Sequence, residues 1–89
     1  MAVNEKTVIL RIKLFGIFRE TAGSKEVTLI LDGADITVGS LKQCLFDSYP
    51  ALRSLNAPFV VAVNRKVVGD VVRVTPADEV ALLPLVSGG

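Results

Sequence analysis

The sequence contains no histidine and no tryptophan, and only one cysteine, Cys44, among its 89 residues. Without histidine, the chain lacks the most common general base and the most common metal ligand. A single cysteine cannot form an intramolecular disulfide, nor can it build a zinc site, which needs about four nitrogen or sulfur ligands. No matched pair of carboxylates stands out either. We therefore expect no metal site, no cofactor bound by this chain and no stand-alone catalysis by its side chains.

Charge and hydropathy exclude further classes of protein. Ten basic and nine acidic residues are scattered along the chain without forming a basic stripe, which disfavours nucleic-acid binding. The first apolar stretch is interrupted by Arg11 and Lys13, so it predicts neither a signal peptide nor a membrane span. The single cysteine suits a reducing compartment. We expect a cytoplasmic protein with no nucleic-acid and no membrane partner.

Hydrophobic periodicity predicts two strands and a helix in the first half of the chain. Residues 7–15 and 26–31 alternate apolar and polar side chains with period two, as half-buried strands do, and residues 16–25 carry the glycines of a long connection. Apolar residues then recur at helical spacing over 38–49, after Thr37 as N-cap. Because serine occupies position 40, we expect no reciprocal capping box.

The second half of the chain predicts further strands. Residues 59–63 form a continuous apolar run, residues 64–65 suit a tight turn, and 66–68, 71–74 and 79–83 are strand-like. Val80 and Leu82 would face the core, and Leu83 would point away from it. One main helix covering a mixed sheet of about five strands, with the first and last strands parallel, is an α+β, ubiquitin-like β-grasp fold. We expect a single domain over residues 1–89.

The most informative segment is the Gly88-Gly89 end. Two residues without side chains place a carboxylate on a thin, unhindered arm that can enter a narrow active site of another protein. The alternative is an ordinary frayed terminus. We expect residues 84–89 to form a flexible tail.

Four segments resemble the small subunits of molybdopterin synthase, the MoaD/ThiS-like sulfur carriers of the ubiquitin-like superfamily. They are residues 13–23, 37–41, 62–64 and the ending, 79–89. Two positions depart from the family pattern. Leu85 replaces a second proline, which should loosen the tail, and Ala77-Asp78 stands where the family usually has glycine next to aspartate.

This resemblance implies a chemical role for the terminus. The Gly89 carboxylate would be adenylated by an E1-like (MoeB-like) enzyme that uses ATP and Mg, and then converted to a thiocarboxylate with sulfur from a donor such as a cysteine desulfurase. The sulfur would pass to a pterin precursor on the large (MoaE-like) synthase subunit. The chain would be the sulfur-donating subunit and not an enzyme by itself. Gly88 and Gly89 would be the chemical site, and the partner-binding residues would be Phe15, Val67, Leu83, Pro84, Leu85, Val86 and Ser87.

Other functions remain open from the sequence. The same end could be joined to lysines, as in archaeal ubiquitin-like modifiers, or could carry sulfur for thiamine synthesis or tRNA thiolation. A binding module with an irrelevant tail is a further alternative. Cys44, at a helical core position, is expected to be a small buried hydrophobe and not a reactive thiol. Arg19 and Glu20 are expected to be solvated.

Overall fold

The computed structural model describes residues 7–33 and 35–85. Eight elements follow one another along these ranges. They are β1 (Thr7–Leu14), α1 (Gly16–Ala22), β2 (Glu26–Asp32), α2 (Val38–Ser48), α3 (Pro50–Ser54), β3 (Phe59–Val63), β4 (Lys66–Val68) and β5 (Val80–Pro84).

The five strands form one mixed sheet in the order β2-β1-β5-β3-β4. The first and last strands run parallel, with Ile12 opposite Val80 and Leu14 opposite Leu82. The other neighbouring strands are antiparallel. The predicted five-stranded mixed sheet and its parallel central pair are therefore confirmed. A parallel pair requires a crossover connection, and the chain from α1 to β4 forms it.

One face of the sheet is packed against the helices. Alternate side chains of the strands point to this inner face, which the period-two pattern predicts. Val80 and Leu82 are each 1% exposed, as expected for the inward positions of β5. The inner-face residues of β1 and β2 that join them in the core are Leu10, Ile12, Leu14, Val27, Leu29 and Leu31, and the helices add Phe18, Val38, Leu41, Leu45 and Leu52.

The segment 16–25 was expected to be a connection, and this expectation is wrong, because residues 16–22 form helix α1. The helix starts after Phe15 and ends at Gly23, whose left-handed φ of 72° allows its N–H to donate to the Arg19 carbonyl. Its stability comes from Phe18, which is 1% exposed and packs edge-on against Phe59 with ring centroids 5.6 Å apart. Seven residues are too few to show a helical period, so only the packing reveals the helix.

The start of α2 also differs from expectation, because a reciprocal capping box is present. The N–H of Ser40 donates to Thr37 Oγ1 at 3.2 Å, and the N–H of Thr37 donates to Ser40 Oγ at 3.0 Å. A serine hydroxyl at this position does what the longer glutamate side chain usually does.

Residues 71–74 do not form the predicted strand. Val71 is 88% exposed, and in this segment only Arg73 forms an isolated bridge, with Thr37. The backbone of this segment is instead hydrogen-bonded to the start of α2: the N–H of Val38 donates to the Val72 carbonyl at 2.8 Å. The short helix α3 was not predicted either. The tight turn at residues 64–65 is confirmed, since both residues have positive φ. Within the described ranges, no helix is long and apolar enough to cross a membrane.

Candidate functional site

The strand that leads to the C-terminal end lies in the middle of the sheet. β5 pairs with β1 on one side and with β3 on the other, so its backbone is hydrogen-bonded along both edges. Its inward side chains, Val80 and Leu82, are buried in the core. The predicted tail therefore follows a central strand whose inward side chains are buried.

The strand extends one residue into the predicted tail, 84–89. Pro84, the first residue of the predicted tail, still belongs to β5 and lies opposite Phe59. The next residue, Leu85, is 61% exposed, and its N–H donates to the Pro58 carbonyl at 3.0 Å. A second proline at position 85 would have no N–H to donate. Leucine therefore supplies at this position a hydrogen bond that proline could not form, and the expectation that it loosens the tail stays a prediction.

Three of the predicted partner-binding residues share the outer face of the sheet, the face away from the helices. Leu83 lies opposite Val60, and Val67 lies opposite Ala62. Phe15 has extended backbone and follows the last β1–β5 pair, so it continues the alternation on the same side. We call Phe15, Val60, Ala62, Val67 and Leu83 the outer patch.

The exposure of the outer patch differs from residue to residue. Val67 is 63% exposed and Phe15 43%, whereas Leu83 and Val60 are half-buried by their neighbours. Beside the patch, Lys13 Nζ and Glu79 Oε2 form an exposed ion pair at 3.1 Å. An apolar centre with a charged border is the usual composition of a protein–protein interface. Val60 and Ala62 were missed from sequence, although the alternation of β3 relative to β5 would place them beside Leu83.

Four of the predicted site residues, Val86, Ser87, Gly88 and Gly89, lie outside the described residues. Their roles remain predictions. What the structure supplies is the point from which they continue, directly after Leu85.

A polar network fixes the start of β5. The Asn64 side chain donates to Asp78 Oδ1 at 2.9 Å and accepts from the N–H of Glu79 at 3.0 Å. Oδ2 of Asp78 accepts from the N–H of Thr75 at 2.8 Å. These hydrogen bonds, with that from Asn64 contributing most, lower the pKa of Asp78 below its ordinary value of 3.8. The turn does not need the family glycine, because Ala77 is not among the residues with positive φ.

The remaining candidate residues take no part in this site. Cys44 is half-buried and not fully buried as expected; it packs against the core, with its sulfur 4.0 Å from the Ile30 carbonyl oxygen. Arg19 and Glu20 are exposed on α1. Among the described residues, no group of three His, Cys, Asp or Glu side chains could hold a metal ion.

Comparison with known proteins gives relatives of two functional kinds. A curated relative, the "Molybdopterin synthase sulfur carrier subunit" of Arabidopsis thaliana, is 29% identical over 83 residues, which are 93% of this chain and 85% of that protein. The crystal structure of SAMP1 from Haloferax volcanii is 34% identical with a TM-score of 0.77, covering 91% of this chain and 99% of that one. The small archaeal modifier protein 1 (SAMP1) of Methanosarcina acetivorans is 26% identical with a TM-score of 0.73, covering 93% and 98%.

These similarities establish the fold as the ubiquitin-like β-grasp, as predicted. The chain is a small carrier-type protein whose strand β5 leads out of the sheet beside an apolar outer patch. The sequence model of the ThiS family matches residues 12–89, which is most of the chain, and the chain belongs to the ThiS family of sulfur carriers.

Proposed function

We propose that this protein carries sulfur as a thiocarboxylate at Gly89 and donates it to a pterin precursor, as the small subunit of a heteromeric molybdopterin synthase. Membership of the ThiS family and the name of the Arabidopsis relative support the proposal. The observation that carries it is the position of β5. This central strand of the sheet leads to Leu85, which lies four residues before the terminal glycine and next to the outer patch.

The chemistry needs an activating partner because a carboxylate is a poor electrophile. Attack of the Gly89 carboxylate on the α-phosphorus of ATP releases pyrophosphate and leaves an acyl adenylate. A persulfide sulfur then attacks the acyl carbon and AMP leaves, which gives an acyl disulfide. A thiol reduces the S–S bond and frees the thiocarboxylate, whose soft anionic sulfur is the nucleophile toward the pterin. The ATP and Mg²⁺ belong to the E1-like (MoeB-like) activating enzyme, and a cysteine desulfurase is a suitable source of the persulfide.

This chain's own contribution is presentation of the terminus. Gly88 and Gly89 have no Cβ, so they fit a narrow active site and leave the acyl carbon open to attack. The stretch from Leu83 to Ser87 supplies backbone and apolar contacts to the partner. The outer patch gives the activating enzyme and the large synthase (MoaE-like) subunit an apolar surface beside the tail. The partners supply positioning and charge for the reaction.

The experiment is intact-mass spectrometry of the purified chain after incubation with its activating enzyme, ATP, Mg²⁺, a persulfide donor and a thiol reductant. Replacement of one oxygen by sulfur adds about 16 Da to the protein. Deletion of Gly88 and Gly89, or a peptide tag placed after Gly89, should abolish the gain. The same tag at the N-terminus is the matched control and should leave it intact. An equal gain in the deleted chain would refute the proposal.

A second function is favoured by a specific observation: two of the structures similar to this chain are archaeal modifier proteins. In that role the activated Gly89 carboxylate would form an isopeptide bond with a lysine amine, and AMP would be the leaving group.

Because the last trypsin site is Arg73, the remnant on a modified lysine would be long. The variant Ser87→Arg shortens the remnant to Gly-Gly, so that modified lysines can be identified after digestion of a cell extract. Finding Gly-Gly remnants would establish conjugation, whereas a thiocarboxylate without remnants would favour sulfur transfer alone.

A further inference from the structure

Gly16, the first residue of helix α1, lies against Pro84, the last residue of β5 and the start of the predicted tail. Gly16 has a φ of +56°, a left-handed conformation that side chains disfavour. A Cβ at Gly16 would also lie 2.8 Å from Pro84 Cγ, which is closer than real Cβ atoms approach. A side chain at position 16 is therefore disfavoured for two separate reasons, and only the second involves Pro84.

The backbone of Leu85 is held by a contact with a different part of the chain. The N–H of Leu85 donates to the carbonyl of Pro58, in the segment before β3. Pro84 itself lies opposite Phe59 in the β3–β5 pair, and its ring fixes its own φ. The last residues of β5 are thus contacted by α1 and by the start of β3, two elements that are far apart in the sequence.

We propose that Gly16, Pro58, Pro84 and Leu85 form a tail-root clamp that sets the direction in which residues 86–89 leave the domain, with Gly16 as a positioning residue for the transfer at Gly89. The transfer part of this inference rests on the proposed function. The four residues 86–89 span at most about 14 Å. This segment is too short to compensate for a change in the direction in which the chain leaves Leu85. Restricting the backbone of Pro84 and Leu85 also reduces the conformational entropy that is lost when a partner binds the terminus.

The structure offers a matched control for the backbone strain. Gly23, at the other end of α1, has a φ of +72°, but a Cβ there would meet nothing within 4 Å. Gly23→Ala therefore introduces the unfavourable φ without the contact, whereas Gly16→Ala introduces both. A difference between the two variants at the tail root reports on Pro84 and not on the loss of glycine as such.

The first readout needs no partner. Hydrogen exchange of the Leu85 amide, measured by NMR on the full chain, reports opening of its bond to Pro58. We expect Gly16→Ala to accelerate this exchange about tenfold relative to Gly23→Ala, after both are corrected for global stability. If the two variants exchange Leu85 at the same corrected rate, the clamp does not exist. Gly16→Asn serves where Gly16→Ala folds poorly, because asparagine tolerates positive φ and carries the same Cβ.

The second readout is adenylation of the full chain by its activating enzyme. We expect Gly16→Ala to lower kcat/KM about tenfold, mainly through kcat, because the misdirected terminus reaches the active site in the wrong orientation. Gly23→Ala should leave kcat unchanged at a temperature where both variants are folded. An equal loss in both variants would assign the effect to stability and overturn the positioning role.

A rescue variant isolates the contact. In Gly16→Ala/Pro84→Ala, the Cγ atom is gone and the nearest remaining atom of residue 84 is its Cβ, 3.8 Å away, an ordinary contact. We expect the double variant to match Pro84→Ala alone in both readouts. Additive losses would contradict the clamp. If the wild-type chain is never adenylated while Leu85 exchange follows the expected order, the proposed function fails and the clamp stands as a structural feature.

Discussion

Asn64 and Asp78 join the β3–β4 turn to the loop before β5, with Nδ2 of Asn64 2.9 Å from Oδ1 of Asp78. The two residues are 14 positions apart, and their contact sets where β5 begins relative to β3. The carboxylate accepts from three donors, since its other oxygen accepts from both the N–H and the hydroxyl of Thr75. Asparagine at position 78 has one acceptor oxygen, and its NH2 group would face a donor.

We expect Asp78→Asn to lower the Tm at pH 7, and the loss to depend on pH. The pKa of Asp78 is lowered in the folded state, so the ionised carboxylate stabilises the fold above its unfolded value of 3.8. That stabilisation disappears as the pH falls through the lowered folded pKa. Thermal melts of both proteins between pH 7 and pH 2 should therefore show the difference in Tm shrinking at the acid end. A difference that stays constant over this range would contradict the assignment.

Val67→Glu should weaken binding to the activating enzyme or to the large synthase subunit. Val67 is the most exposed member of the outer patch, and a charge there must be desolvated in an apolar interface. We expect a Kd at least about tenfold higher, measured by calorimetry. The matched control is Ile30→Glu, since Ile30 is 67% exposed on the same face of β2, at the far edge of the sheet. An equal effect of both substitutions would show that binding is not centred on the patch.

Phe18→Ala should destabilise the domain strongly because α1 depends on this side chain for its packing. Phe18 is 1% exposed and contacts the ring of Phe59 edge-on. We expect the free energy of unfolding to fall by about 3–5 kcal/mol, measured by urea denaturation. Ile17→Ala in the same helix is the control: Ile17 is 41% exposed, and a loss below about 1 kcal/mol is expected. Similar losses in both variants would mean that α1 is not anchored through Phe18.

Thr37→Ala should lower the free energy of unfolding by about 1 kcal/mol, because it removes the N-cap acceptor of α2. Ser40→Ala removes the reciprocal bond to the Thr37 N–H. Since both substitutions disrupt one capping box, the double variant should lose less than the sum of the two single losses. Gln43→Ala, on the exposed face of α2, should change stability little. Strictly additive losses would show that the two bonds act independently.

The amino-acid sequence by itself determined the faces of the strands, the main helix and the turn at residues 64–65. The inward positions of β1, β2 and β5 follow from a period of two, and α2 from a period of 3.6, so each can be recognised within a few residues. The parallel pairing of the first and last strands was also predicted, because the long connection between them allows the crossover that a parallel pair needs. The role of the Gly88-Gly89 end stays a prediction, which depends on residue type alone.

Only the tertiary structure decided the features that depend on residues distant in the chain. Helix α1 is too short to show a period and exists because Phe18 reaches the core. Residues 71–74 bond to the start of α2 and not to the sheet. The hydrogen bond from Leu85 to Pro58 and the close approach of Gly16 to Pro84 exist because the fold brings these residues together. Local patterns encode which way a side chain points, whereas contacts between residues distant in the sequence form only when the whole chain folds.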